Sequence, residues 1–134
     1  MASILKVDEL QGIVSAGAIT VTSEGGAVTQ SLQQGLAKAW FSIDADAGTP
    51  VFFDSFNSSS ITDNSAGKQT ANFTNALSND DFATTACSGE TATISGFGSN
   101  TPKSTTSVSF RSNNSSGTAT DSPNLDGMVM GDLA

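Results

Sequence analysis

Histidine and tyrosine are absent from this 134-residue chain, and cysteine occurs once. Without His, the commonest general base and metal ligand at neutral pH is missing, and with it the usual serine, cysteine and zinc machinery. Cys87 has no intramolecular partner, so packing rather than disulfides must hold the fold. Basic residues are scarce: five Lys and Arg stand against thirteen Asp and Glu, for a formal net charge of -8. Phosphate binding needs a basic face that such a chain cannot assemble, so nucleic acid is not an expected partner. No window approaches the roughly 18–20 apolar residues of a membrane helix, and membrane insertion is not expected. The first residues lack the basic patch and apolar core of a secretory signal peptide, so export by that route is not expected either.

What the chain has in abundance is small and hydroxylated. It contains 21 Ser, 16 Thr, 13 Gly and nine Asn, while only 13% of residues are charged. Ser, Thr and Asn compete for backbone hydrogen bonds and Gly adds chain entropy, so long helices are disfavoured. Ordinary disorder is also disfavoured, because eight Phe, one Trp and many β-branched residues can supply a core. At 13.5 kDa this is one domain with at most a short attached segment. The expected fold class is all-β: a short extended N-terminal anchor, residues 1–35, followed by an antiparallel β-sandwich head, residues 36–134.

The two segments differ in kind. Residues 1–35 contain no aromatic residue and are punctuated by Gly12, Gly17, Gly25 and Gly26. Their apolar positions keep no heptad spacing, so a coiled coil is excluded. Such a segment can hardly bury a core of its own. Ile4, Leu5, Val7, Leu10, Ile13, Ile19 and Val21 are the residues expected to pack against sister chains or another protein, the alternative being a loose leader. Every aromatic residue lies in residues 36–134, where Trp40, Phe41, Phe53, Phe56, Ile61, Phe73, Phe82 and Phe110 are the expected core. Short β-rich runs bounded by turn residues predict strands over 38–44, 50–56, 82–87, 90–94, 107–111 and 128–133, and a hairpin over 59–74. In that hairpin Ala71 and Phe73 alternate with Thr70, Asn72 and Thr74, as a half-buried strand requires. A helical turn is predicted only at 78–82, and long surface loops at 99–106 and 113–126. So few large residues suit an oligomer that shares aromatic faces.

Few side chains are spaced for chemistry. Asp44, Asp46 and Asp54 offer oxygen ligands near Gly48, but the rest of a calcium loop is missing, and a solvated acidic turn is the plainer reading. Asp80, Asp81 and Glu90 could pair as carboxylates for glycoside cleavage, yet adjacent strand residues point to opposite faces. Cys87 has no basic neighbour and is expected to be a buried, inert thiol. Trp40, Phe52, Phe53 and Phe56 could stack on a sugar, although packing has the first claim on the only large residues available. Gly96-Phe97-Gly98 lacks the helix and Lys of a phosphate loop. The sequons at Asn57, Asn72, Asn113 and Asn114 follow from composition. The reading is of a non-enzyme with no cofactor and no metal site.

Several stretches together carry a resemblance. They are Leu-Gln-Gln-Gly-Leu-Ala-Lys-Ala-Trp at 32–40, Asp-Ser-Phe-Asn-Ser-Ser-Ser-Ile-Thr-Asp-Asn-Ser-Ala-Gly-Lys at 54–68, and Ala-Asn-Phe-Thr-Asn-Ala-Leu-Ser at 71–78. Thr-Thr-Ser-Val-Ser-Phe-Arg at 105–111, Ser-Gly-Thr-Ala-Thr-Asp-Ser-Pro at 116–123 and Gly131-Asp132 add to them, as do Ile-Leu-Lys-Val-Asp at 4–8 and Ile-Thr-Val-Thr-Ser-Glu-Gly-Gly at 19–26. The chain resembles fibre-type virion proteins of tailed phages of marine bacteria and cyanobacteria. It departs from their pattern at Gly67-Lys68-Gln69-Thr70, where an aromatic strand start is common, and at Phe82, where Tyr is common. The resemblance implies a structural protein of the particle, a homotrimer that binds itself and other capsid or tail proteins. It would be made in the bacterial cytoplasm and carried on the virion surface. A short trimeric appendage fits the length; a tail-fibre adhesin whose loops 99–106 and 113–126 bind a host-surface glycan is the alternative.

Overall fold

A computed structural model describes residues 5–15, 18–23, 25–26, 28–89, 93–97 and 103–134. Among them are eleven strands and no helix, so the chain is all-β. It divides into two units, Met1–Leu36 and Ala37–Ala134. In the smaller unit β1 (Thr20–Thr22) and β2 (Thr29–Ser31) form an antiparallel hairpin, with Val21 opposite Gln30. Its loop is closed by the Ser23 amide on the Val28 carbonyl at 2.8 Å, and Gly26 supplies a positive φ of 71°. Among the described residues, none of the buried hydrophobic ones belongs to this unit.

The larger unit begins with β3 (Ala39–Asp44), β4 (Val51–Phe56), β5 (Ser58–Ser65), β6 (Lys68–Phe73) and β7 (Ala83–Ser88). It continues through β8 (Thr93–Phe97), β9 (Lys103–Ser104), β10 (Ser107–Asn113) and β11 (Leu125–Met130). One sheet has the order β4-β3-β11-β7; the other has the order β5-β6-β10-β8, with β9 also on β10, and the pairings are antiparallel. Period-two alternation decides which residues enter the core. Ala39, Phe41 and Ile43 of β3 are buried, as are Ala71 and Phe73 of β6, Val108 and Phe110 of β10, and Leu125 and Val129 of β11. Phe41 from one sheet stacks on Phe110 from the other, with ring centroids 5.5 Å apart and planes at 23°. Gly127 lies opposite Phe41 in the β11–β3 pairing, and a methyl group there would fall inside the Phe41 ring. A second pair, Phe73 and Phe82, meets edge to face at 6.0 Å; the Lys103 ammonium sits 5.1 Å over the Phe82 ring and donates to the Phe82 carbonyl at 2.7 Å.

One residue carries the chain from the first sheet to the second. Asn57, between β4 and β5, is the one non-glycine described with a positive φ, 53°. Its side-chain amide donates to the carbonyls of Lys38 at 2.9 Å and Asn75 at 3.2 Å, and its Oδ1 accepts from the Asn75 amide at 2.7 Å. Asn tolerates this left-handed conformation better than most residues, and here its side chain bonds three backbone groups that the corner would otherwise strand.

Several expectations need correction. Trp40, Phe53 and Phe56 are exposed rather than core. Trp40 and Phe41 are neighbours on β3, so a strand that buries Phe41 must turn Trp40 outward. On β4 the register shifts between Ser42 and Ile43, which leaves Phe53 as the extra residue of a bulge and sets Phe56 opposite Trp40. Ile61 is half-buried and packs against the core edge. No helical turn forms at 78–82; the Asp81 amide donates instead to Asn79 Oδ1 at 2.9 Å, and Ser78 is tied to the Asp132 carbonyl. The last strand is Leu125–Met130 rather than 128–133, because Leu133 forms a separate bridge with Leu77. The strand expected at 90–94 is Thr93–Phe97, with residues 90–92 outside the described set.

Two substitutions test this packing in urea unfolding. Gly127→Ala should cost about 1–3 kcal/mol by overpacking Phe41. Asn57→Ala should cost about 2 kcal/mol through the lost hydrogen bonds and the left-handed backbone, and Asn57→Gly should recover the backbone part only.

Candidate functional site

The residues singled out for chemistry do not gather. Among the described residues no three His, Cys, Asp or Glu side chains converge as a metal site would require. Asp44 Oδ1 accepts from the Asp46 amide at 3.0 Å, a local turn, and Asp54 bonds its own neighbour, the Ser55 amide, at 2.8 Å. Asp80 and Asp81 lie in the bend after Leu77, and Glu90 lies outside the described residues. Gly96 and Phe97 are part of β8, paired with Arg111 and Phe110. Cys87 is exposed, contrary to expectation, because it shares the outward parity of β7 with Ala83 and Thr85. Its Sγ is 3.9 Å from Asp126 Oδ2 across the β7–β11 pairing.

The segment 113–126 is not a free loop. Asn114 Oδ1 accepts from the amides of Ser116 and Thr118 at 3.0 and 2.9 Å, closing a turn at Gly117. Asp121 Oδ1 accepts from the Gly67 amide at 2.7 Å and from Gln69 Nε2 at 2.5 Å. Ser122 is fully buried, with its carbonyl on the Ala45 amide and its hydroxyl 2.8 Å from that of Ser88. Of the other loop, residues 99–102 lie outside the described set. The Ser, Thr and Asn side chains of β5, β6 and β10 largely bond one another: Asn64 Nδ2 to Thr70 Oγ1 at 2.9 Å, Thr70 Oγ1 to Ser109 Oγ at 2.5 Å, and Asn72 Nδ2 to Ser60 Oγ and Thr62 Oγ1 at 3.1 Å.

Among the described residues two groups of apolar side chains are exposed. In the smaller unit Leu5, Val7, Leu10, Ile13 and Val21 are between 52 and 103% exposed, Ile19 is half-buried, and Ile4 lies outside the described residues. In the larger unit the outer face of the β4-β3-β11-β7 sheet carries Phe56, Trp40 and Met128 as direct cross-strand neighbours, 52, 38 and 39% exposed. Phe53 and Val51 widen this patch along β4. The next row on the same face reads Asp54, Ser42, Asp126 and Cys87. Met128 was missed as a member of this row because only the β11–β3 register, which no local pattern specifies, sets it beside Trp40.

No protein-family model matches the chain, and no curated protein or solved structure matches it either.

Lys38 is the one buried basic residue described, 3% exposed at the entrance to β3, with its amide on the Val129 carbonyl at 2.8 Å. Burial lowers its pKa below the usual lysine value, and the negative charge of Asp132 opposes that shift in part. The folded state therefore holds this proton less tightly than the unfolded chain does. Stability from Lys38 should rise as pH climbs towards the unfolded value of 10.5. Urea unfolding at stepped pH from neutral to about 10 should show a more positive slope for the wild type than for Lys38→Met. Equal slopes would mean that Lys38 does not carry the effect.

Proposed function

We propose that this chain is a structural protein of a tailed phage particle: a short homotrimeric appendage on the virion surface. Residues 1–35 serve as its attachment and trimerisation segment, and residues 36–134 form a β-sandwich head. The observation that carries this reading is the contrast between the two units. The larger unit closes its own core around Phe41 and Phe110, whereas the smaller unit exposes Leu5, Val7, Leu10 and Ile13 and has no buried hydrophobic residue among those described. Four aliphatic side chains left in water are worth roughly 1.5–3 kcal/mol each to whatever buries them. Sister chains and the particle are the partners that a fibre-type protein offers. The work of such a protein is assembly rather than catalysis, and its net charge of -8 keeps neighbouring heads soluble and apart.

Light scattering on a sizing column should give three times the 13.5 kDa chain mass, unchanged on dilution. A variant lacking residues 1–30 should run as a folded monomer that no longer joins particles. A monomeric full-length chain would overturn the trimer, and stoichiometric decoration by the truncated variant would overturn the anchor.

A further inference from the structure

The outer face of the β4-β3-β11-β7 sheet has features that an ordinary solvated sheet face lacks. Its central row, Phe56-Trp40-Met128, is apolar and exposed, and it runs across three adjacent strands over about 10 Å. Two residues further along the strands, a row of acceptors, Asp54, Ser42 and Asp126, runs parallel to it at about 7 Å. The three carboxylates of this face, Asp44, Asp54 and Asp126, belong to β3, β4 and β11; none of the chain's five Lys and Arg residues lies on its four strands, and Lys38, which directly precedes β3, is buried.

We infer that this face is a binding platform for a neutral saccharide, with Trp40 as the stacking residue and Asp54, Ser42 and Asp126 as hydrogen-bond acceptors. A pyranose ring presents a flat apolar C–H face to an aromatic ring and hydroxyl donors around its rim. That is the complement of an apolar row flanked by carboxylates. Charge selects the ligand further: three carboxylates with no cation among them repel anionic sugars, so the glycan is neutral. The same charges disfavour a second copy of this face, since face-to-face pairing would double the uncompensated carboxylates in one dry interface. The Ser, Thr and Asn side chains of the other sheet are less suited to this role, since they already bond one another. The inference concerns the larger unit alone and holds whether or not the chain is a particle protein.

Trp40 is the only tryptophan in the chain, so its fluorescence reports this face directly. The full-length protein is titrated with neutral gluco-, galacto- and manno-configured hexasaccharides. At least one should shield Trp40 from acrylamide and shift its emission, with an affinity unaffected by about 0.5 M NaCl. Trp40→Ala and Phe56→Ala, checked for wild-type melting, should each weaken binding of that sugar on an array roughly tenfold. Asp126→Asn should weaken it less. The proposal fails if no neutral hexasaccharide shields Trp40, or if Trp40→Ala binds sugar as well as the wild type. It fails equally if raising protein concentration alone shields Trp40, which would make the face a contact between copies. Shielding by polylysine alone, abolished by salt, would assign the face to a cationic partner instead.

Discussion

The stack of Phe41 on Phe110 is the contact on which the larger unit depends. It is an aromatic contact between the two sheets, and both rings are buried. Its geometry dictates the residues around it. On β11 the position opposite Phe41 must be glycine, because the ring occupies the space a side chain would need. On β3 the parity that sends Phe41 inward also sends Ala39 and Ile43 inward and Trp40 outward. A chain with eight Phe can hold its core with one such pair and a second, Phe73 on Phe82, and leave other rings for the surface.

The corner at Asn57 supplies the other constraint. β4 and β5 belong to different sheets yet are separated by that single residue, so the chain reverses its allegiance in one step. A turn this short leaves backbone groups of Lys38 and Asn75 without strand partners, and the Asn57 side chain bonds them. Gly67 plays a related part at the β5–β6 turn, where φ is 69° and any Cβ would meet the backbone of Ser112 and Thr120. The segment that follows β10 reads this second corner and the end of β3: Asp121 accepts from the Gly67 amide, and the Ser122 carbonyl accepts from the Ala45 amide. That is why residues 113–126, rich in Ser, Thr and Asn, pack inward although their composition predicts a free loop.

The all-β class and most strands were legible because richness in Ser, Thr, Asn and Gly and period-two alternation are local signals. The hairpin of β5 and β6, with Ala71 and Phe73 inward, follows from residues two apart and needs no knowledge of the rest. Of the expected core, Phe41, Phe73, Phe82 and Phe110 are buried, and parity made this legible at Phe73 and Phe110. At Trp40 it was legible in principle, since two adjacent aromatics cannot both enter a one-sided core. At Phe53 and Phe56 it was not, because the bulge that reassigns parity along β4 is a property of the β3–β4 pairing. The candidate surface was hidden for the same reason: its rows are assembled from β4, β3 and β11, which are far apart in sequence and joined only by register.

Exposed apolar area has two characters in this chain. The aliphatic residues of the smaller unit are branched and flexible in shape; such surface is buried by area alone, and a sister chain or a larger assembly would serve it well. The aromatic row on β4, β3 and β11 is flat, ordered by strand register and bordered by carboxylates at fixed spacing. Rings held in a lattice of backbone hydrogen bonds lose little entropy when a ligand lands on them, so they discriminate by shape and by hydroxyl placement. The proposed division of labour rests on this difference: nonspecific area suits permanent attachment, and preorganised rings with acceptors suit recognition.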